Sequence, residues 1–157
     1  MSLEAAYLNR PVRIINQASR RALYAHLEGN WERRIGAGAN ELVTEDGNWL
    51  IYRTHLGYRI TNALSNRALY AHRNGNWQHR FGAGTPEDRV TDDGFWDITQ
   101  NPDGSYCIVN RDSERYLYAQ PDGAWTQGVG AGPEQDVGLN GRWFFIFSPM
   151  VANDEEH

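Results

Sequence analysis

The sequence predicts an all-β fold made of three pseudo-symmetric repeats of four short strands. A threefold internal repeat and a hydrophobic period of two carry that prediction. Residues 23 to 38 read LYAHLEGNWERRIGAG, residues 69 to 84 read LYAHRNGNWQHRFGAG, and residues 117 to 132 read LYAQPDGAWTQGVGAG. Leu23, Leu69 and Leu117 lie 46 and 48 residues apart, as do Trp31, Trp77 and Trp125, while Trp49, Trp96 and Trp143 are spaced by 47 and 47. A period of this size implies a symmetric architecture of stacked or closed units. Within each unit, YRITNA, ALYAH and FWDITQ alternate apolar and polar residues between turn signals at SNR, NGN, DDG and NPDG, the pattern of half-buried strands.

Each strand can be assigned in turn. Ile14, Ile60 and Ile108 point inward from the first strand, and Leu23, Leu69 and Leu117 from the second. The fourth strand contributes Trp49, Trp96 and Trp143, followed by Ile51, Ile98 and Phe145. No window of helical length carries a matching apolar stripe, and the 16 glycines interrupt every candidate, so helical solenoids are excluded. The glycine-alanine-glycine runs at 36–38, 82–84 and 130–132 are expected where the chain leaves the third strand. There glycine would permit positive φ, or close approach of a backbone or a ligand.

Length and composition bound the function. A chain of 157 residues, 40% apolar with six tryptophans, is expected to form one domain with a substantial core. Repeats are expected at about 12–57, 58–105 and 106–150, with a polar tail over 151–157. A single cysteine, Cys107, leaves no internal disulfide framework, and the start MSLEAAYLNR lacks the basic and apolar regions of a signal peptide. The expected location is therefore cytoplasmic. No apolar run is long enough to span a membrane as a helix. The 15 basic residues, all arginine, stand against 20 acidic ones for a net charge of −5, which argues against nucleic acid or heparin-like partners.

YRITNALSNRALYAHRNGNW and YCIVNRDSERYLYAQPDGAW resemble the repeat unit of the β-trefoil superfamily over about residues 11 to 149. The likeness is closest to the pattern shared by fascins, fibroblast growth factors and several trefoil lectins. The resemblance implies a six-strand barrel closed at one end by three hairpins, with adjacent termini. It is incomplete: ricin-type lectins carry Gln-x-Trp in each repeat, whereas Gly47, Gly94 and Gly141 precede Trp49, Trp96 and Trp143 by two. The ricin-type binding residues are not carried over, although the tryptophan, a core residue in that family, is expected to keep its packing role. Heparin-binding trefoils use a basic cluster missing here, and fascin-like bundling needs several trefoils in one chain.

Trp31, Trp77 and Trp125 admit two readings. They are core residues of the third strand, where related trefoils place leucine or valine, or they are platforms that stack on a sugar face. Their neighbours favour the second: His26, Asn30 and Arg33 in repeat one, His72, Asn76 and His79 in repeat two, and Gln120, Asp122 and Gln127 in repeat three. Sugars present an apolar face fringed by hydroxyls, which suits a flat ring beside hydrogen-bonding groups. Repeats one and two share eleven of the sixteen positions of the string, the polar ones included, which a core alone does not require; a recent duplication explains it equally. Repeat three, with Gln120 and Ala124, is expected to bind differently or less well.

Catalysis finds little support. Glu45-Asp46 and Asp92-Asp93 precede Gly-x-Trp strands and suit turns, the histidines lack metal-ligand spacing, and one cysteine makes no thiolate metal site. The expectation is a non-enzymatic lectin with up to three sites, no cofactor and no metal, binding galactose, N-acetylgalactosamine or N-acetylglucosamine-type glycans, with a homodimer left open. The alternative is a protein-binding trefoil, a protease inhibitor or cytoskeletal partner, acting through one divergent loop, Thr99 to Tyr106 or Pro133 to Asn140.

Overall fold

The structure, a computed structural model, describes residues 3–26, 35–76, 79–84, 92–121 and 128–148, with 75, 76, 79 and 80 described by their backbone only. Twelve strands are present among the described residues. β1 (Val12–Asn16), β2 (Arg21–Ala25), β3 (Ile35–Ala39) and β4 (Trp49–Thr54) make the first set. β5 (Gly57–Asn62), β6 (Ala68–Asn76), β7 (His79–Gly84) and β8 (Trp96–Gln100) make the second. β9 (Tyr106–Asn110), β10 (Tyr116–Ala119), β11 (Val129–Gly132) and β12 (Arg142–Phe147) make the third. Antiparallel pairing runs β1–β4–β5–β8–β9–β12 and returns to β1, closing a six-strand barrel. The remaining strands form three hairpins, β2–β3, β6–β7 and β10–β11. Closure removes the open edges that would otherwise invite further pairing. The architecture is the all-β trefoil that the repeats imply.

The interior follows the alternating pattern. Ile14, Leu23 and Trp49, with their counterparts in the other repeats, have no exposed surface, and Ile51, Ile98 and Phe145 are buried with them. Each core tryptophan also satisfies its one polar atom: the indole N–H of Trp49 donates to the carbonyl of Leu23 at 2.9 Å, Trp96 to Leu69 at 3.0 Å and Trp143 to Leu117 at 2.9 Å. A buried indole needs that partner, so one interaction ties the fourth strand to the second in every repeat.

A second threefold device links one repeat to the next. Asn16, Asn62 and Asn110 end the first strand of each repeat and are fully buried. The Asn62 Oδ1 accepts from the backbone of Leu64 and Ser65 and from the Ser65 hydroxyl at 3.0 to 3.3 Å, and Asn16 and Asn110 do the same in their turns. Each asparagine Nδ2 then reaches into the preceding repeat. Asn62 donates to the Asp46 carbonyl at 2.8 Å, Asn110 to that of Asp93 at 2.7 Å and Asn16 to that of Asn140 at 2.8 Å. These turns also hold Arg20, Asn66 and Glu114 at φ of 64°, 64° and 60°, a left-handed conformation that side chains other than glycine adopt at a cost.

One expectation needs correction. The glycine-alanine-glycine runs are not exits from the third strand; they are the third strand, and Gly36, Gly82 and Gly130 pair across the ladder with Tyr24, Tyr70 and Tyr118. Among the described glycines only Gly57, Gly104 and Gly138 have positive φ, so positive φ is not the reason for these runs. The tyrosines, each buried, cover the bare glycine backbone, as aromatic side chains do for a neighbouring strand glycine. Ala37, Ala83 and Ala131 face the shared core, and β11 lies against β3 and β7, where small residues permit close approach. Ser148, which follows β12, is buried and its hydroxyl donates to Asn48 Oδ1 at 2.9 Å; the tail expected over 151–157 lies outside the described residues.

Candidate functional site

The segment before each fourth strand is a 3₁₀ turn, at Glu45–Gly47, Asp92–Gly94 and Gly138–Gly141. The acidic pairs do form turns, as expected. Because the next repeat's asparagine holds the turn's backbone, residues 46, 93 and 140 are fixed beside the end of the second strand. In repeat one this brings together two side chains twenty residues apart. His26 Nδ1 lies 2.9 Å from Asp46 Oδ2, and the Thr44 hydroxyl donates to the other carboxylate oxygen at 3.2 Å. A carboxylate only accepts, so Nδ1 carries the proton and the neutral ring offers Nε2 as an acceptor. The His26 side chain is 42% exposed and that of Asp46 12%, so the pair is open to a ligand on the histidine side.

Tyr24, His26, Leu42, Val43, Thr44 and Asp46 line a cleft of about 290 Å³ over this pair. Its apolar wall is Tyr24, whose ring centroid lies 5.0 Å from that of His26, together with Val43 and Leu42. The loop that carries Leu42 is braced from below by Arg13, which is buried. Its guanidinium donates to the carbonyls of Asn40, Val43 and Thr44 and to the side chains of Asn40 and Asn48, at 2.8 to 3.2 Å. Burial lowers the pKa of this arginine from its ordinary value, and the charge of Asp46 opposes that shift. Gly47 explains the missing glutamine of the Gln-x-Trp pattern. A Cβ there would stand 2.3 Å from Val43 Cγ1, and one at Gly141 would stand 2.5 Å from Val137 Cγ1, so a valine fills the space a side chain would need.

The equivalent positions of the other repeats differ in chemistry. His72 occupies the place of His26, but its Nδ1 accepts the backbone N–H of Asn74 at 3.1 Å, so its neutral ring keeps the proton on Nε2. The bond is local, between residues two apart within β6. In repeat three Gln120 replaces histidine and Asn140 replaces aspartate, leaving no titratable group at either place. A separate hollow of about 190 Å³ lies between Leu56, Asp92, Phe95, Arg111 and Asp112. The ion pairs around it, Arg73–Asp112 at 3.5 Å and Arg111–Asp97 at 3.8 Å, involve exposed arginines and add little stability.

Of the twelve expected site residues, His26, His72 and Gln120 are placed with their side chains. Asn76 and His79 are placed by backbone in β6 and β7. Asn30, Trp31, Arg33, Trp77, Asp122, Trp125 and Gln127 lie outside the described residues. Sequence reasoning treated Asp46 only as a turn former, and it passed over Tyr24, Thr44, Leu42 and Arg13. One signal was available for Asp46: histidine and aspartate at 26 and 46 recur at 72 and 93 and are both replaced, at 120 and 140. Among the described residues no group of His, Cys, Asp or Glu is placed to hold a metal ion, and no helix is long and apolar enough to cross a membrane.

No protein-family model matches the chain, and no curated protein matches it in sequence. Its fold is similar to that of several solved structures. The BEL β-trefoil in an apo form superposes with a TM-score of 0.72 at 18% identity, over 90% of this chain and 94% of that one. SeviL bound to the asialo-GM1 saccharide matches with a TM-score of 0.65 at 18% identity, over 89% of this chain and 98% of that one. The lectin of Polyporus squamosus, bound to a human-type influenza-binding epitope, matches at 0.72 and 15% identity, over 92% of this chain and 50% of that one. With the closed barrel and its three hairpins, these likenesses establish a β-trefoil that resembles trefoil lectins in fold.

Proposed function

We propose that the protein is a non-enzymatic, carbohydrate-binding lectin whose clefts recur once per repeat and differ in strength. The observation that carries this reading is the repeat-one cleft, where the His26–Asp46 pair and the Thr44 hydroxyl face an apolar wall of Tyr24, Val43 and Leu42. An apolar surface with a few convergent polar groups is the ordinary form of a small-ligand site, and a volume of about 290 Å³ suits one sugar ring. Two of the proteins that share the fold are bound to saccharides, which supports the same class of ligand. Several weak sites on one chain would gain avidity on a glycan-coated surface. The rival reading, a protein-binding loop at Thr99 to Tyr106, has less support. Asp103 in that loop accepts from Ser105, Gln17 and Arg142, which ties the loop to the rest of the fold. A glycan array followed by calorimetry tests the lectin reading: it predicts binding of mono- or oligosaccharides at millimolar concentration or below, and no binding at that concentration contradicts it.

A further inference from the structure

Leu42 is the one apolar side chain of the repeat-one cleft that stands largely in water, 65% exposed. Its loop is not loosely held. The buried Arg13 guanidinium ties down the carbonyls of Asn40, Val43 and Thr44 on either side of it, so Leu42 is presented at a fixed place beside Asp46 and Thr44. A braced leucine adjoining a carboxylate and a hydroxyl matches a ligand substituent that combines a hydrogen-bond donor with a methyl group. The position seven residues before the fourth-strand tryptophan is Leu42 in repeat one and Asp136 in repeat three. A carboxylate there would favour hydroxyls and disfavour a methyl group.

We propose that the repeat-one cleft selects hexoses bearing an acetamido group and that Leu42 is the residue that sets this preference; the inference rests on the lectin reading above. The acetamido N–H would donate to the Asp46 carboxylate, and its methyl would lie against Leu42 and Val43. A plain hexose offers a hydroxyl at that place and leaves Leu42 in water. A 6-deoxy sugar offers a methyl whose nearest donor is the 4-hydroxyl of the ring, not an N–H in the same planar group, and so matches this spacing less well. Repeat three, with Asp136 in the place of Leu42, lacks the apolar half of this arrangement and shows no such preference.

The test is a site-resolved NMR titration of the full chain with the methyl glycosides of N-acetylgalactosamine, N-acetylglucosamine, galactose, glucose and fucose, following the backbone amides of Leu42, Val43 and Thr44. A buried methyl group and one added hydrogen bond predict an acetamido preference of about tenfold over the parent hexose. In Leu42→Asp the ratio of the two affinities falls to about one, whatever the variant does to the affinity for the parent hexose. Because Leu42 is exposed, its replacement should leave the melting temperature unchanged, so loss of preference will not reflect unfolding. Equal affinity for the two sugar classes in the wild type, a preference that survives Leu42→Asp, or fucose binding as tightly as the acetamido sugars would each overturn the proposal and leave the lectin reading intact. If none of the sugars shifts any amide of the chain, both fail together.

Discussion

In the interior, Trp49, Trp96 and Trp143 repeat the same hydrogen bond to a leucine carbonyl within 0.1 Å of one another, at 2.9, 3.0 and 2.9 Å. At the clefts, only a few residues away in sequence, His26 bonds a carboxylate, His72 accepts a backbone N–H, and Gln120 stands in place of a histidine. The same repeats therefore carry a core that keeps threefold symmetry and, at the end of the second strand, polar positions that have lost it. Packing explains the difference. A close-packed interior responds to a single methylene, so each repeat must present the same shape to the shared axis, whereas a side chain at a solvent-facing cleft answers only to its ligand and its near neighbours.

Substitutions can break this comparison from the core side with the largest effects. Trp96→Ala removes a fully buried indole and should cost roughly 3 to 5 kcal/mol of stability, measured by chemical denaturation, with the equivalent substitutions at Trp49 and Trp143 giving similar losses. Asn62→Ala leaves the donors of Leu64, Ser65 and the Asp46 carbonyl without their partner. It should cost about 2 to 3 kcal/mol and should also disturb repeat one, because Asn62 holds the turn that carries Asp46. A loss of ligand binding at repeat one, produced by a residue of repeat two, would be the signature of that link.

Much of this core was legible in the sequence because its signals are local and repeated: an isoleucine, a leucine and a tryptophan at one spacing, on strands of period two. The glycine runs were misread because glycine inside a strand usually marks a bend, and the tyrosines that cover these glycines come from the neighbouring strand. The Asn-x-x-Ser turns were visible as turns, but their Nδ2 bonds to the preceding repeat depend on barrel closure. The cleft was legible only in part. His26 stood out by its place near Trp31, whereas Asp46 joins it across twenty residues, and Arg13 has no arginine counterpart in repeat three, where Cys107 occupies the place. The different partners of His26 and His72, a carboxylate and a backbone N–H, are not encoded in the LYAH string that they share.

Cleft substitutions should sharpen the contrast with smaller energies. His26→Ala should remove about 1 to 2 kcal/mol of sugar binding at repeat one, the value of a hydrogen bond left unmade, while the melting temperature barely changes. His72→Ala should do the same at repeat two, and Gln120→Ala should have the least effect, as calorimetry on each variant would show. The smallest effect concerns the repeat-three insertion, where bonds from the Ser105 hydroxyl and backbone, aided by Gln17 and Arg142, lower the Asp103 pKa from 3.8 to about 2. A carboxylate depressed in the folded state contributes stability above its unfolded pKa and loses it as pH falls through the folded one. Asp103→Asn should therefore flatten the acid limb of the stability profile between about pH 4 and pH 2, its small loss of stability being present at neutral pH and vanishing below that window, and this can be followed by denaturant unfolding across that range.

What matters most is whether the equivalent positions of the three repeats are unequal sugar sites. Saturating the wild-type chain with a single sugar that it binds, and fitting separate affinities from the amides of Thr44, His72 and Gln120, measures this. The structure predicts unequal affinities, with repeat three weakest because Gln120 and Asn140 replace the histidine and the carboxylate. Three equal affinities, or tightest binding at repeat three, would contradict it.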